Sequence, residues 1–342
     1  MAPPVITFYD VASSDGPERY FLPNPWVSRM CLVHKGLDFT THSVPLEELR
    51  AAGPGTLRER LAHVLGPNDR PLVPMIDVPG ADGQSSTLVG DTVTIAEYLD
   101  ANFPQAPSLF LPSLPPSDSA PDAESPAFRH AHTMARLLKE GIGNSDAQWA
   151  AHFELCAAGL ADAFATRDRE YMTSDAKLGL SNGWSLFEAM DRAAMLAHTR
   201  RSLLPICAIL NPTQSQPRIA NSASPSNPSP GALARPSSSA SPQLFLASPE
   251  KPGFIDYVLF GRYAMTRGCA PELNKAIWSR GSAQARAWLK SYRDGKWALG
   301  ETVAQGQWFG DVELPGIEEW VERMLDAHGG YARKFLAAQE TA

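Results

Sequence analysis

The sequence predicts a small α/β domain joined to an all-helical bundle. Three observations carry that expectation. Strand and helix signals alternate through the first hundred residues, a stretch crowded with proline, serine and acidic residues follows at 104–126, and every periodic segment beyond it has helical spacing. Residues 5–9 read as a buried strand and 25–35 as a helix closed by Gly36, with Trp26, Met30 and Val33 on one face. Residues 39–44 read as a second strand and 47–65 as a charged, mostly helical connection. The runs 73–78 and 86–89 flank Pro79-Gly80 and Asp82-Gly83, which is hairpin chemistry. A helix follows from Asp91, with Ile95, Leu99 and Phe103 spaced by four.

The division expected is 1–112 for the α/β domain, 113–125 for a linker and 126–342 for the helices. Ser125-Pro126 sets a cap and a first-turn proline ahead of a stripe running from Ala127 to Ile142. Further helices are expected over 184–204, 254–266, 271–278, 284–292 and 316–338. Residues 211–242 interrupt them with nine serines and seven prolines in 32 residues and no acidic or aromatic side chain. Such a segment buries too little apolar surface to offset its ordering entropy, so it reads as a disordered insertion, or as retained intron sequence.

A net charge of -7 excludes a basic face for nucleic acid. The start of the chain lacks the pattern of a signal peptide, and no apolar run is long enough to span a membrane, so the expected location is cytoplasmic. Cys31, Cys156, Cys207 and Cys269 are scattered and read as small apolar helix residues. The eight histidines hold no metal spacing, and no metal site is expected; GxSxG, GxGxxG and P-loop motifs are missing.

Particular residues resemble the cytosolic glutathione transferases, and among them a fungal class related to bacterial beta-etherases. They are Ile6-Thr7-Phe8-Tyr9-Asp10, Pro23-Asn24-Pro25-Trp26 with Arg29, His34-Lys35-Gly36-Leu37, Val73-Pro74, and Asp91-Thr92 with Ile95 to Asp100. Asp256-Tyr257 adds a looser match, and Asp256 is similar to that family's structural cap of a core helix, with Gly253 where Ser or Thr usually stands. The resemblance implies a thioredoxin-like domain with glutathione as substrate or cofactor, a helical domain, a homodimer and a small apolar or aromatic second substrate.

It also assigns expected roles. A cis Val73-Pro74 bond would leave the Val73 backbone to pair with the cysteinyl part of glutathione. At the start of a helix, Thr92 would donate to the γ-glutamyl carboxylate and Asp91 accept from its ammonium, although Asp91 alone reads equally as a cap. Arg70 or Lys35 would supply the cation for the glycyl carboxylate. In the related enzymes a serine activates the thiol, whose pKa is about 8.5; here that position is Leu22, which cannot donate. Asn24, two residues on, has an amide that can donate to sulfur, and it reads equally as a plain helix cap. Tyr20, Phe21, Leu22 and Trp26, with Met134 and Trp149, are the expected apolar wall, and residues 15–21 the loop that shapes it. The resemblance leaves conjugation, ether cleavage, glutathione-dependent isomerisation and a non-catalytic binding role open.

Overall fold

In a computed structural model of the chain, residues 5–11, 19–51, 53–54, 56–60, 72–80, 85–115, 119, 121–143, 147–164, 166–178, 181–211, 243–293 and 310–341 are described. The insertion expected within 211–242 lies outside them apart from Asn211, as do most of the loop at 15–21 and Arg70.

The first half runs β1 Ile6–Asp10, α1 Pro23–His34, β2 Phe39–Ser43, α2 Leu46–Arg50, α3 Leu57–Arg60, β3 Met75–Pro79, β4 Ser86–Gly90 and α4 Thr92–Asn102. The four strands lie in the order β2-β1-β3-β4, with β1 and β2 parallel and the other pairs antiparallel. A parallel pair needs a crossover helix, which α1 provides, whereas the antiparallel β3 and β4 need only the hairpin that the turn residues encode. Period-two alternation is visible in β1, where Ile6 and Phe8 point into the core.

The second half is helical: α5 Pro126–Gly143, α6 Ala147–Ala163, α7 Thr166–Met172, α8 Asp175–Leu178, α9 Gly183–Glu188, α10 Arg192–Ser202, α11 Leu204–Leu210, α12 Phe254–Cys269, α13 Pro271–Trp278, α14 Ala283–Arg293 and α15 Ile317–Thr341. The Ser125 hydroxyl accepts the Phe128 amide at 3.2 Å, so the cap read from sequence forms. The helix expected over 184–204 is instead broken, because Asp191 accepts from the amides of Ala193 and Ala194 and starts α10 afresh. In α15 the turn from Ala327 to Gly330 leaves helical geometry, with His328, Gly329 and Gly330 all left-handed. Paired glycines make that break inexpensive.

The two halves share one core. The Trp26 indole on α1 packs against Phe260 of α12 and Phe335 of α15, and donates to the Tyr20 carbonyl at 2.8 Å. Arg29 is fully buried beneath it, paired with Asp10 at 2.9 Å and packed over the Phe8 and Phe335 rings. Desolvation lifts the Asp10 carboxyl to about 6 in spite of Arg29.

Below the start of α12, Asp256 accepts from the amides of Leu246, Ala247 and Gly253 and from the Trp320 indole, at 2.7 to 3.0 Å. Its role as a structural cap explains Gly253. A Cβ there would sit 2.7 Å from both Ala247 Cβ and the Leu109 carbonyl. Gly253→Ser therefore adds a good capping group in a place with no room for it. The expected result is a loss of about 1–3 kcal/mol, read from the urea midpoint, where an unhindered cap would give a gain.

Candidate functional site

The turn into β3 adjoins the start of α4 through the Met75–Gly90 pair, and Leu22 at the start of α1 packs against the same cluster as Val73. The Val73-Pro74 peptide bond is cis, with Val73 half-buried and Pro74 buried immediately before β3. Asp91 stands at the N-cap of α4 with φ 69 and ψ 138. Non-glycine residues rarely adopt such a backbone, and strain of this kind persists where surrounding structure imposes it, commonly at functional sites. Its carboxylate accepts from the Val93 amide at 2.9 Å and the Thr94 amide at 3.2 Å, and it pairs with Lys139 of α5 at 3.3 Å. Burial pushes this carboxyl up, but the Thr94 amide, Lys139 and the Val93 amide together hold it below the usual carboxylate range. Asp91 is thus a cap through one carboxylate oxygen, and the other pairs with Lys139. Thr92 beside it is 1% exposed.

The start of α1 differs from the sequence expectation. The helix begins at Pro23, with Leu22 as N-cap and no side-chain hydrogen bond there. Asn24 is therefore not a cap but the second helical residue, exposed, and its amide makes no hydrogen bond among the described residues. The physical reason is Pro23 itself, which fits the first helical position and carries the start two residues upstream.

Several other expected site residues are placed elsewhere. Lys35 is buried in an ion pair with Asp100 at 2.8 Å and donates to the Phe103 carbonyl, so its ammonium stitches α1 to α4 and is not free for a ligand carboxylate. Tyr20, Phe21 and Trp26 are core: none is more than 7% exposed, and Phe21 packs edge-on against Phe164. Leu22 is half-buried against the same cluster. Met134 lies on the opposite face of α5 from His132, Arg136 and Lys139, in a separate apolar groove of about 300 Å³ with Phe110, Ile209 and Phe254. The Trp149 side chain is outside the described residues. Tyr20, Phe21 and Trp26 therefore form no wall with Met134, because these aromatic side chains next to a helix start are drawn into the core.

Lys139 was missed. His132, Arg136 and Lys139 recur at i, i+4 and i+7, and the first two bind Glu97 of α4 at 2.6 and 2.8 Å. That stripe of cations facing an acidic helix was the available signal. No group of side chains suited to a metal ion occurs among the described residues, and none of their helices is long and apolar enough to cross a membrane.

The arrangement of sheet and helices is shared with solved glutathione transferases. One, from Ceriporiopsis subvermispora and solved in complex with glutathione, superposes with a TM-score of 0.55 at 15% identity, covering 86% of this chain and 99% of that one. A glutathione transferase from Phanerochaete chrysosporium gives 0.53 at 17% identity over 87% and 100%, and a second from the same organism 0.51 at 16% over 98% and 97%. No protein-family model matches the chain, and no curated protein matches it significantly. The likeness to these structures is one of fold: a thioredoxin-like domain followed by a helical domain, the fold of the glutathione transferases.

Proposed function

We propose that the chain binds glutathione across Val73, Pro74, Asp91 and Thr92 and directs its thiolate at an electrophilic or aryl-ether carbon of an apolar small molecule. The observation that carries this reading is Asp91. A non-glycine residue held at φ 69, with a buried threonine next to it and a cis Val-Pro turn on the adjoining strand, is an arrangement that helix capping alone does not require. The helix start offers its dipole to a carboxylate, and the Val73 backbone suits an extended peptide. Lys139 adds a cation beside that carboxylate position. Arg70 remains the proposed partner of the glycyl carboxylate.

Asn24 is the proposed donor to the thiolate. Its exposed amide sits in the first turn of α1, where the helix dipole favours a negative sulfur. Asn24→Ala is expected to lower kcat/KM toward an activated aryl halide by about ten- to a hundredfold, the worth of one hydrogen bond to a charged group. Glutathione affinity should be unchanged. Steady-state kinetics beside equilibrium binding checks both, and full activity would remove Asn24 from the mechanism.

Leu22 favours a second reading, a non-catalytic protein that binds glutathione and apolar ligands, because the N-cap of α1 offers no side-chain donor. Retention on immobilised glutathione with no turnover of aryl halides, aryl ethers or peroxides would support it. The membership of a fungal, etherase-related class, the domain boundaries near 112 and 126, a homodimer and a cytoplasmic location belong to the same proposal.

A further inference from the structure

Two cysteines far apart in sequence are brought together. Cys156 lies on α6 and is fully buried; Cys269 is the last residue of α12 and half-buried. The two helices touch at Gly159, one turn beyond Cys156, where the Cys269 carbonyl occupies the space that a side chain would need. Cys156 and Cys269 flank that point of close approach near enough to influence each other's thiol, and both are reduced. Cys269 also lines a cavity of about 400 Å³ with Gly159, Arg19, Arg267, Gln339 and Glu340. Cys269 is therefore the partly exposed member of the pair, bordering the chamber, and Cys156 the fully buried one.

We propose that Cys156 and Cys269 form a reversible disulfide that clamps α6 to the end of α12 when the protein meets a peroxide. The Cys269 thiolate attacks the outer peroxide oxygen, the O–O bond breaks, and the departing oxygen leaves with a proton as water or an alcohol. Cys269 is then a sulfenic acid. The Cys156 sulfur attacks the Cys269 sulfur, the S–O bond breaks, and the hydroxyl leaves as water with the Cys156 proton. In sum, two thiols and one peroxide give a disulfide and two molecules of water, or one of water and one of alcohol. Burial and the Cys269 contact keep Cys156 a thiol until that moment, and the buried Arg262 guanidinium provides the positive field that favours its thiolate. Cys31 and Cys207 are buried elsewhere and serve as internal controls.

The test uses the full chain. Native protein is exposed to hydrogen peroxide, quenched, denatured and alkylated, and its peptides are mapped by mass spectrometry. Alkylation of Cys156 and Cys269 should fall together and in equal amount, with their peptides recovered as one cross-linked species that dithiothreitol separates. Cys31 and Cys207 should remain alkylated in full. In Cys269→Ser, Cys156 should stay fully alkylatable, because nothing relays the oxidant to it. Cys269 carried to sulfinic acid beside an intact Cys156 thiol, or both thiols unchanged, would overturn the proposal. Because the cross-link is read on the wild-type chain, poor folding of the variant would not obscure the outcome.

Discussion

Asp256→Ala is expected to destabilise the folded protein by on the order of 4 kcal/mol, the largest effect of any single substitution considered. The carboxylate is fully buried and accepts from four donors: the amides of Leu246, Ala247 and Gly253 and the Trp320 indole. Truncation leaves all four in the core without a partner, and each buried unsatisfied donor costs about 1–3 kcal/mol, reduced where a water enters the gap. The site ties the segment before α12 to its first turn and to α15, so the loss spreads across the helical half. Asp256→Asn keeps the shape and one acceptor but presents its NH2 to donors, and should fall between wild type and Ala. Chemical unfolding monitored by tryptophan fluorescence and by circular dichroism gives the comparison. A midpoint for Asp256→Ala within error of wild type would show that the cap is not what holds α12.

Acidification is expected to have an effect of similar size. Burial lowers His34 to about 3, with further contributions from His328 and Lys35; it lowers His152 to about 3 and His328 to about 4. His34 and His328 sandwich the Tyr257 hydroxyl at 2.6 and 2.8 Å, joining the end of α1, the start of α12 and the break in α15. A base whose folded pKa lies below its unfolded value near 6.5 contributes full stability above that value and loses it as pH falls, because the unfolded chain takes up the proton first. Asp10 acts in the opposite sense. Its folded pKa, raised to about 6, makes the fold more stable as pH falls through that value. Asp91, held low, changes nothing until the pH drops below its unfolded value.

At 1.36 kcal/mol per unit, each of the three histidines costs about 2 kcal/mol at pH near 5 and Asp10 returns roughly 1.4, so the protein should be about 5 kcal/mol less stable there than at pH near 7.5. Urea titrations at the two pH values measure the difference. Equal stability would mean that these histidines are charged or solvated in the folded state.

Much of the fold was legible because its signals are local. Ser125-Pro126, Asp91 and Gly36 mark helix ends with their own chemistry, and all three do so in the structure. The alternation of strand and helix up to Asn102 was equally plain, as was Pro271–Trp278. Helix α6 was not anticipated, since its alanine-rich sequence is apolar nearly all round and shows no stripe. The start of α1 was misplaced because Asn-Pro imitates a cap and first turn, while Pro23 had already begun the helix. The site was less readable than the fold. Val73, Pro74, Asp91 and Thr92 announce themselves by residue type and spacing, but whether Tyr20, Phe21 and Trp26 line a cleft or fill a core depends on Phe164, Phe260 and Phe335, which come from far along the chain. The same is true of Lys35 and Asp100, whose pairing is a fact of packing and not of sequence.

The proposed glutathione site joins the turn at Val73-Pro74 to the start of α4. Isothermal titration of glutathione into the wild-type chain and into Thr92→Val, a nearly isosteric change that removes only the hydroxyl, tests it most directly. Saturable one-site binding to wild type is expected, with an affinity about ten- to a hundredfold weaker in the variant, the worth of one hydrogen bond to a carboxylate. No binding to wild type, or equal binding by both proteins, would contradict it.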